Sequence, residues 1–302
     1  MGVPARIGGF AIGLVALFAL AALAGAKVDP SVDEQSSTHP EEPVGMNEHT
    51  TSTATQASPP GLAVAAGGYR LVPERTRLEP GAGEQLRFRI VDAAGEVVDE
   101  FDLEHERRMH LILVRRDFAG FQHLHPEQRE DGSWVANADL RAGGVYRAFA
   151  DFSTAGTSLT LATDIFVAGA FEPQPLPAPA ATDAIGDGYE VSIDSATPAS
   201  GAVTPVRFTV NRNGREIDSV EPYLGADGHL VALREHDQAF LHTHPEGEPG
   251  GPGPIAFGVE YPTAGRYRLF LQFRHRGEVR TAAFTQEVGA PAAGEETRDG
   301  DH

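Results

Sequence analysis

A block that occurs twice restricts what this chain can fold into. His110-Leu111-Ile112-Leu113-Val114-Arg115 is followed by Phe121-Gln122-His123-Leu124-His125-Pro126-Glu127. Without a gap, 119 residues on, His229-Leu230-Val231-Ala232-Leu233-Arg234 is followed by Phe240-Leu241-His242-Thr243-His244-Pro245-Glu246. Each copy holds three histidines as H-x12-H-x-H, retained while most of the residues between them differ. The chain therefore contains two like units, each carrying the same possible histidine chemistry. Its 302 residues leave room for two domains of ordinary size.

The duplication reaches beyond the histidines. Gly68-Tyr69 matches Gly188-Tyr189, Leu86–Ile90 matches Val206–Val210, and Ala142–Arg147 matches Thr263–Arg268. Leu86-Arg87-Phe88-Arg89-Ile90 alternates apolar and polar residues, the pattern of a half-buried strand. Each unit has about seven short β-runs divided by Gly, Pro, Asp or Asn, which is the pattern of a Greek-key sandwich. The expected fold is all-β: two tandem sandwiches, immunoglobulin-like or cupredoxin-like. The Gly-x-Tyr-Arg elements at Gly144–Arg147 and Gly265–Arg268 have the form of a tyrosine corner, whose hydroxyl ties a late strand to backbone just upstream.

The expected boundaries follow composition. Residues 1–26 form a signal anchor or signal peptide: Ile7 to Ala26 is an uncharged run of 20 residues, long enough to span a bilayer, and Ala24-Gly25-Ala26 is an A-x-A cleavage signature. Either reading puts the remainder outside the cytoplasm, on the cell membrane or secreted. Residues 27–66 are a disordered stalk rich in Pro, Ser, Thr and acid. Residues 67–171 are sandwich 1, 172–184 a Pro/Ala linker, 185–289 sandwich 2, and 290–302 a disordered tail. The net charge of −19 disfavours nucleic acid as a partner. There is no cysteine, so disulfides, zinc-thiolate sites, iron–sulfur clusters and blue-copper centres are excluded.

Met109–Arg115 and Phe121–His125 read as a β-hairpin. Side chains alternate faces along a strand, so His110, His123 and His125 share one face with Ile112, Val114 and Phe121, while Leu111, Leu113 and Leu124 take the other. Met109 points away from His110. Two registers are open. If paired residues sum to 235, His110 lies opposite His125 and three imidazoles converge; if to 237, the site shrinks to two ligands. Three imidazoles without sulfur suit Cu(II) or Zn(II), with water, Glu127 or Glu246 in a fourth position. The candidate metal ligands are His110, His123 and His125 in one repeat, and His229, His242 and His244 in the other. His105, His236 and His275 have no counterpart in the other repeat and read as surface residues. No nucleophile elbow, phosphate loop or HExxH motif occurs, so an enzyme is not expected.

The paired blocks that begin Met109-His110-Leu111 and Gly228-His229-Leu230 and end in His-Pro-Glu resemble those of actinobacterial extracytoplasmic tandem β-sandwich proteins, described as heavy-metal-associated or hypothetical secreted proteins. They are more loosely similar to immunoglobulin-like YtkA/FixH-type domains linked to copper handling. The resemblance covers both repeats. It implies a β-sandwich fold, a membrane or secreted location and a copper ligand, although the absence of Cys and the presence of only three Met depart from Cu(I) carriers. Two functions stand open at this point. One is a membrane-tethered metal carrier or buffer with one site per repeat, serving a membrane or cell-surface protein partner. The other is a non-metal immunoglobulin-like structural or interaction protein at the cell surface.

Overall fold

A computed structural model describes residues 59–195, 198–241 and 243–291. The expected anchor, nearly all of the expected stalk, most of the tail and His242 lie outside the described residues. Among the described residues no helix is long and apolar enough to cross a membrane.

The first repeat contains β1 (Ala65–Ala66), β2 (Tyr69–Pro73), β3 (Arg77–Leu78), β4 (Glu84–Val91), β5 (His110–Arg115), β6 (Gln122–Leu124), β7 (Glu127–Gln128), β8 (Trp134–Ala138), β9 (Gly144–Thr154) and β10 (Thr157–Val167). They form two sheets, β1-β2-β4-β8-β7 and β3-β10-β9-β5-β6. The second repeat contains β11 (Thr182–Gly186), β12 (Tyr189–Ser195), β13 (Val203–Arg212), β14 (Arg215–Glu216), β15 (His229–Arg234), β16 (Phe240–Leu241), β17 (Thr243–Glu246), β18 (Ile255–Glu260), β19 (Gly265–His275) and β20 (Glu278–Val288). Its sheets are β11-β12-β13-β18-β17 and β16-β15-β19-β20, with β14 paired to β13.

This is the immunoglobulin-like order rather than the cupredoxin-like one. In repeat 1 the first long strand is split. β2 joins the sheet of β4, β8 and β7, while β3 crosses to pair in parallel with β10 in the sheet of β9, β5 and β6. Repeat 2 makes the same parallel contact through a single bridge, Ala199 to Gly289. Both tyrosine corners form. The Tyr146 hydroxyl donates to the Ala142 carbonyl at 3.0 Å, and that of Tyr267 to the Thr263 carbonyl at 2.8 Å.

Alternation along the strands sends every second side chain into a sandwich. Leu86, Phe88 and Ile90 join Leu111, Leu113, Trp134 and Phe152 in the core of repeat 1; Val206, Phe208 and Val210 join Leu230, Phe257, Tyr267 and Phe273 in that of repeat 2. Met109 is buried in the first core, away from His110. The other face of the central strands is apolar too, and it builds a third core. Ile112, Val114, Phe118 and Phe149 of repeat 1 pack against Val231, Leu233, Phe240 and Phe270 of repeat 2. The Phe121 and Phe270 rings stack across the junction, with centroids 4.0 Å apart. Strand β5 is therefore buried along its whole length, with Leu111 and Leu113 facing one core and Ile112 and Val114 the other. Burial of both faces removes large apolar area from water and holds the repeats together.

Two connecting segments are more ordered than their composition suggests. The last residues of the expected stalk are tied in: the Pro60 carbonyl accepts from Phe240 N–H at 2.9 Å, and Arg147 donates to the Gly61 carbonyl at 2.7 Å and that of Leu62 at 2.8 Å. Gly61 has φ +71°, and a Cβ there would lie 2.8 Å from the Phe149 ring and 2.9 Å from Phe240. Glycine is therefore the fitting residue at that point. The Pro/Ala linker is also bound, through Leu176 packed on the third core and Gln174 N–H donating to Asp117.

Candidate metal centre

The hairpin register decides which histidines meet. Strands β5 and β6 pair Leu111 with Leu124, Ile112 with His123 and Leu113 with Gln122, so paired residues sum to 235. This is the register that sets His125 opposite His110. One nitrogen from each of His110, His123 and His125 falls within 4.8 Å of the other two. The ring centroids are 5.1, 5.3 and 4.8 Å apart. Three imidazoles on one tetrahedral ion, with bonds of about 2.0–2.1 Å, place their centroids about 5 Å apart.

Among the described residues, repeat 2 places His229 and His244 on different sheets; His242, the third member of its expected triad, lies outside them. His229 leads β15 on the same face as Val231 and Leu233, and that face lies on the junction. Its ring stacks on His110 at 5.5 Å, nearly parallel at 8°, and on His123 at 4.5 Å. His229 thus covers the triad of repeat 1. His244 is exposed, paired across from Gly258 in the opposite sheet.

One residue of the hairpin differs where the two strands part. In repeat 1 Leu124 stays on the β5 ladder and buries its side chain in the core. Its counterpart Thr243 donates its hydroxyl to the Leu230 carbonyl at 2.7 Å. That side-chain bond satisfies a carbonyl of β15, the counterpart of β5, at the point where Phe240–Leu241 pair with β15 and Thr243–Glu246 pair with β18.

With the Gln272 amide oriented as it is, its oxygen toward His123, two hydrogen bonds assign the protons in the triad. His110 Nε2 faces the Glu104 carbonyl at 3.2 Å and can only donate to it. His123 Nδ1 faces Gln272 Oε1 at 2.7 Å, while the Gln272 amide NH2 donates to Thr281 Oγ1 at 3.2 Å. In the neutral rings His110 Nδ1 and His123 Nε2 are then both bare, yet they face each other at 2.9 Å. Two lone pairs at that distance call for a cation or a shared proton between them. A proton is disfavoured because burial, the largest cause, lowers the pKa of His110, and burial reinforced by the neighbouring His110 and His125 lowers that of His123 to about 3. Burial also lowers His125 to about 4 and pushes His229 well below the ordinary range. His125 Nε2 is buried with no hydrogen-bond partner. The donor set fits Cu(II) or Zn(II): three neutral imidazoles, two of them oriented by carbonyl-type acceptors, as metal-bound histidines usually are.

Other expected positions fall elsewhere. Glu127 is exposed and ion-paired with Arg129 at 3.2 Å, and Glu246 is exposed on β17. His236 is at the surface. His275 is half-buried, its Nδ1 hydrogen-bonded with the Tyr189 hydroxyl at 2.7 Å. His105 is exposed as expected, but its ring lies 6.2 Å from that of His110 and 5.9 Å from that of His229. Neither this proximity nor the contribution of Gln272 is signalled by the histidine spacing.

Fold and site together define a tandem immunoglobulin-like protein whose imidazole cluster lies between its repeats. The chain belongs to the family described as Domain of unknown function (DUF8832), which matches it twice, at residues 64–169 and 182–290. No curated protein matches it. Among solved structures it is similar to the Escherichia coli adhesin FdeC, at 16% identity over 75% of this chain and 66% of that one, with a TM-score of 0.25. It is similar to Yersinia pseudotuberculosis InvD at 13% identity over 79% of this chain and 62% of that one, TM-score 0.24. A titin tandem, A168169, shows 10% identity over 74% of this chain and 98% of that one, TM-score 0.21. This chain spans less than two thirds of the length of the two bacterial proteins.

Proposed function

We propose that this chain is an extracytoplasmic metal-binding protein, a carrier or buffer for Cu(II) or Zn(II), tethered to the membrane or secreted through the segment Ile7 to Ala26. The ion binds at His110 Nδ1, His123 Nε2 and a nitrogen of His125. The observation that carries this reading is the pair of bare nitrogens facing each other at 2.9 Å in a place where burial resists protonation. A divalent ion between them removes the lone-pair conflict and engages the unpartnered Nε2 of His125. His229, stacked on two of the ligands, keeps water from that side of the site. The apolar packing beneath holds the rings in place before the ion arrives, which lowers the cost of binding.

The test is isothermal titration of the full chain, made without a His tag, with Cu(II) and Zn(II). Saturable binding that His123→Leu abolishes supports the metal function. Equal weak uptake by both proteins would instead mean that the cluster is structural and the two nitrogens share a proton, which is the immunoglobulin-like interaction protein of the alternative reading.

A further inference from the structure

The turn that leads into β5 orients His110 through the Glu104 carbonyl. Glu104 N–H donates to the Arg107 carbonyl at 2.8 Å and Arg107 N–H returns to the Glu104 carbonyl at 2.9 Å. The two central residues are both left-handed, His105 at φ 47° and Glu106 at φ 63°. This two-residue turn normally takes Asn-Gly or another pair at ease with positive φ. A side chain with a β-carbon at either position is strained. Repeat 2 has the same turn 119 residues later, Tyr223 to Ala226, with bonds of 2.7 and 3.3 Å. There the central pair is Leu224 and Gly225, so glycine relieves the second position. Repeat 1 keeps side chains at both: the first position carries one in each repeat, histidine here and leucine there, and the second is where the repeats differ.

The strained turn is locked to the site. Its Glu104 carbonyl accepts from His110 Nε2, and the Glu104 carboxylate accepts from Ser158 Oγ at 2.6 Å. With Glu104 held through both its carbonyl and its carboxylate, the exposed His105 beside it lies edge-on to His110 and His229. Its ring sits about 1 Å farther from that of His110 than two imidazoles that share a tetrahedral ion sit from each other, and as an exposed side chain it is free to rotate. His105 is exposed whereas the triad and His229 are buried or half-buried, so it stands on the side from which an ion arrives.

We propose that His105 is the fourth ligand of the metal site: a solvent-side imidazole that captures the incoming divalent ion and closes the coordination sphere over it. This rests on the three-histidine reading above. Repeat 2, with Leu224 at the matching position, has no such group.

The test is His105→Asn in the full chain, because asparagine suits the left-handed turn and removes only the imidazole. Affinity is read by competition titration with Cu(II) and Zn(II), nitrogen coordination by X-ray absorption and electron paramagnetic resonance of the Cu(II) form, and folding by thermal melting of the metal-free protein. The expected result is four nitrogen ligands in the wild type and three in the variant. The dissociation constant rises at least about tenfold, the scale of losing even an outer partner of a ligand, while the melting temperature holds or rises. Unchanged affinity and nitrogen count in H105N overturn the proposal and leave the triad standing. Absence of saturable binding in the wild type overturns both.

Discussion

The two repeats share an order of strands, a tyrosine corner and a histidine block, and they use the block differently. In repeat 1 the strand after the hairpin keeps to the β5 ladder for three residues and delivers His123 and His125 to His110. In repeat 2 it leaves after two, and His244 ends on the outer sheet, exposed. The residue across the ladder from the leading histidine differs as well: Asp151 faces His110, Gln272 faces His229. Gln272 is then free to orient His123 of the other repeat. The imidazole cluster is thus composite, with repeat 1 supplying three of its rings and repeat 2 the stacked His229 and the amide of Gln272. Duplication identifies residues with a history of shared chemistry, while backbone pairing decides whether each copy still performs it.

The largest effect expected from this asymmetry is on acid stability. The histidines of the cluster have folded pKa values below their unfolded value near 6.5, about 3 for His123 and about 4 for His125. Above pH 6.5 neither state takes up protons at these rings, so they leave stability unchanged. As pH falls below it, the unfolded chain binds protons that the folded chain refuses. Stability then drops by up to about 1.4 kcal/mol per pH unit for each such histidine until its folded value is reached. Urea melts of metal-free protein between pH 7.5 and 4.5 should show a steep loss that His123→Leu makes shallower. A wild-type midpoint that stays flat over this range contradicts the burial of neutral rings.

Separating the repeats comes next. Val231→Asp puts a charge into the third core, among Ile112, Val114 and Phe270, and should cost about 3 kcal/mol or more. Proteolysis within residues 172–181 should accelerate in the same variant, because the linker rests on that core through Leu176. Unchanged proteolysis would mean that the repeats are held together by something else.

Smaller effects sharpen the comparison. Tyr146→Phe and Tyr267→Phe each remove a corner hydrogen bond, worth about 1 kcal/mol. The loss should be greater in repeat 2, where the Tyr267 hydroxyl also accepts from Thr263 N–H at 3.3 Å and meets Thr263 Oγ1 at 3.1 Å. Denaturation midpoints of the two variants decide it. Glu106→Gly should raise stability by roughly 0.5 kcal/mol, and Gly225→Ala in the matching turn should lower it by a similar amount. The opposite signs would remove the contrast between a strained and a relaxed turn.

Much of this architecture was legible in the residues. Alternation in Leu86–Ile90 and Val206–Val210 marks strands because period-two burial is local, and the Gly-x-Tyr-Arg corners report a contact only four residues long. The two apolar faces of β5 were visible as well, but their use was not: the sequence names no partner for Ile112 and Val114, and the partner proved to be the other repeat. The triad of repeat 1 was readable once the register was set. The different course of the second block was not readable, because Thr243 in place of Leu124 looks like a neutral change, although its hydroxyl bonds the Leu230 carbonyl. Gln272 lies 149 residues from His123, a separation at which spacing carries no signal.

The central claim is that the chain has one imidazole site, shared between repeats and not duplicated. The most direct measurement is metal stoichiometry of the untagged full chain by titration with Cu(II) and Zn(II), repeated for His123→Leu and His244→Ala. The prediction is one tight equivalent per chain, lost in H123L and kept in H244A. Two tight equivalents, or loss of binding in H244A, would contradict it.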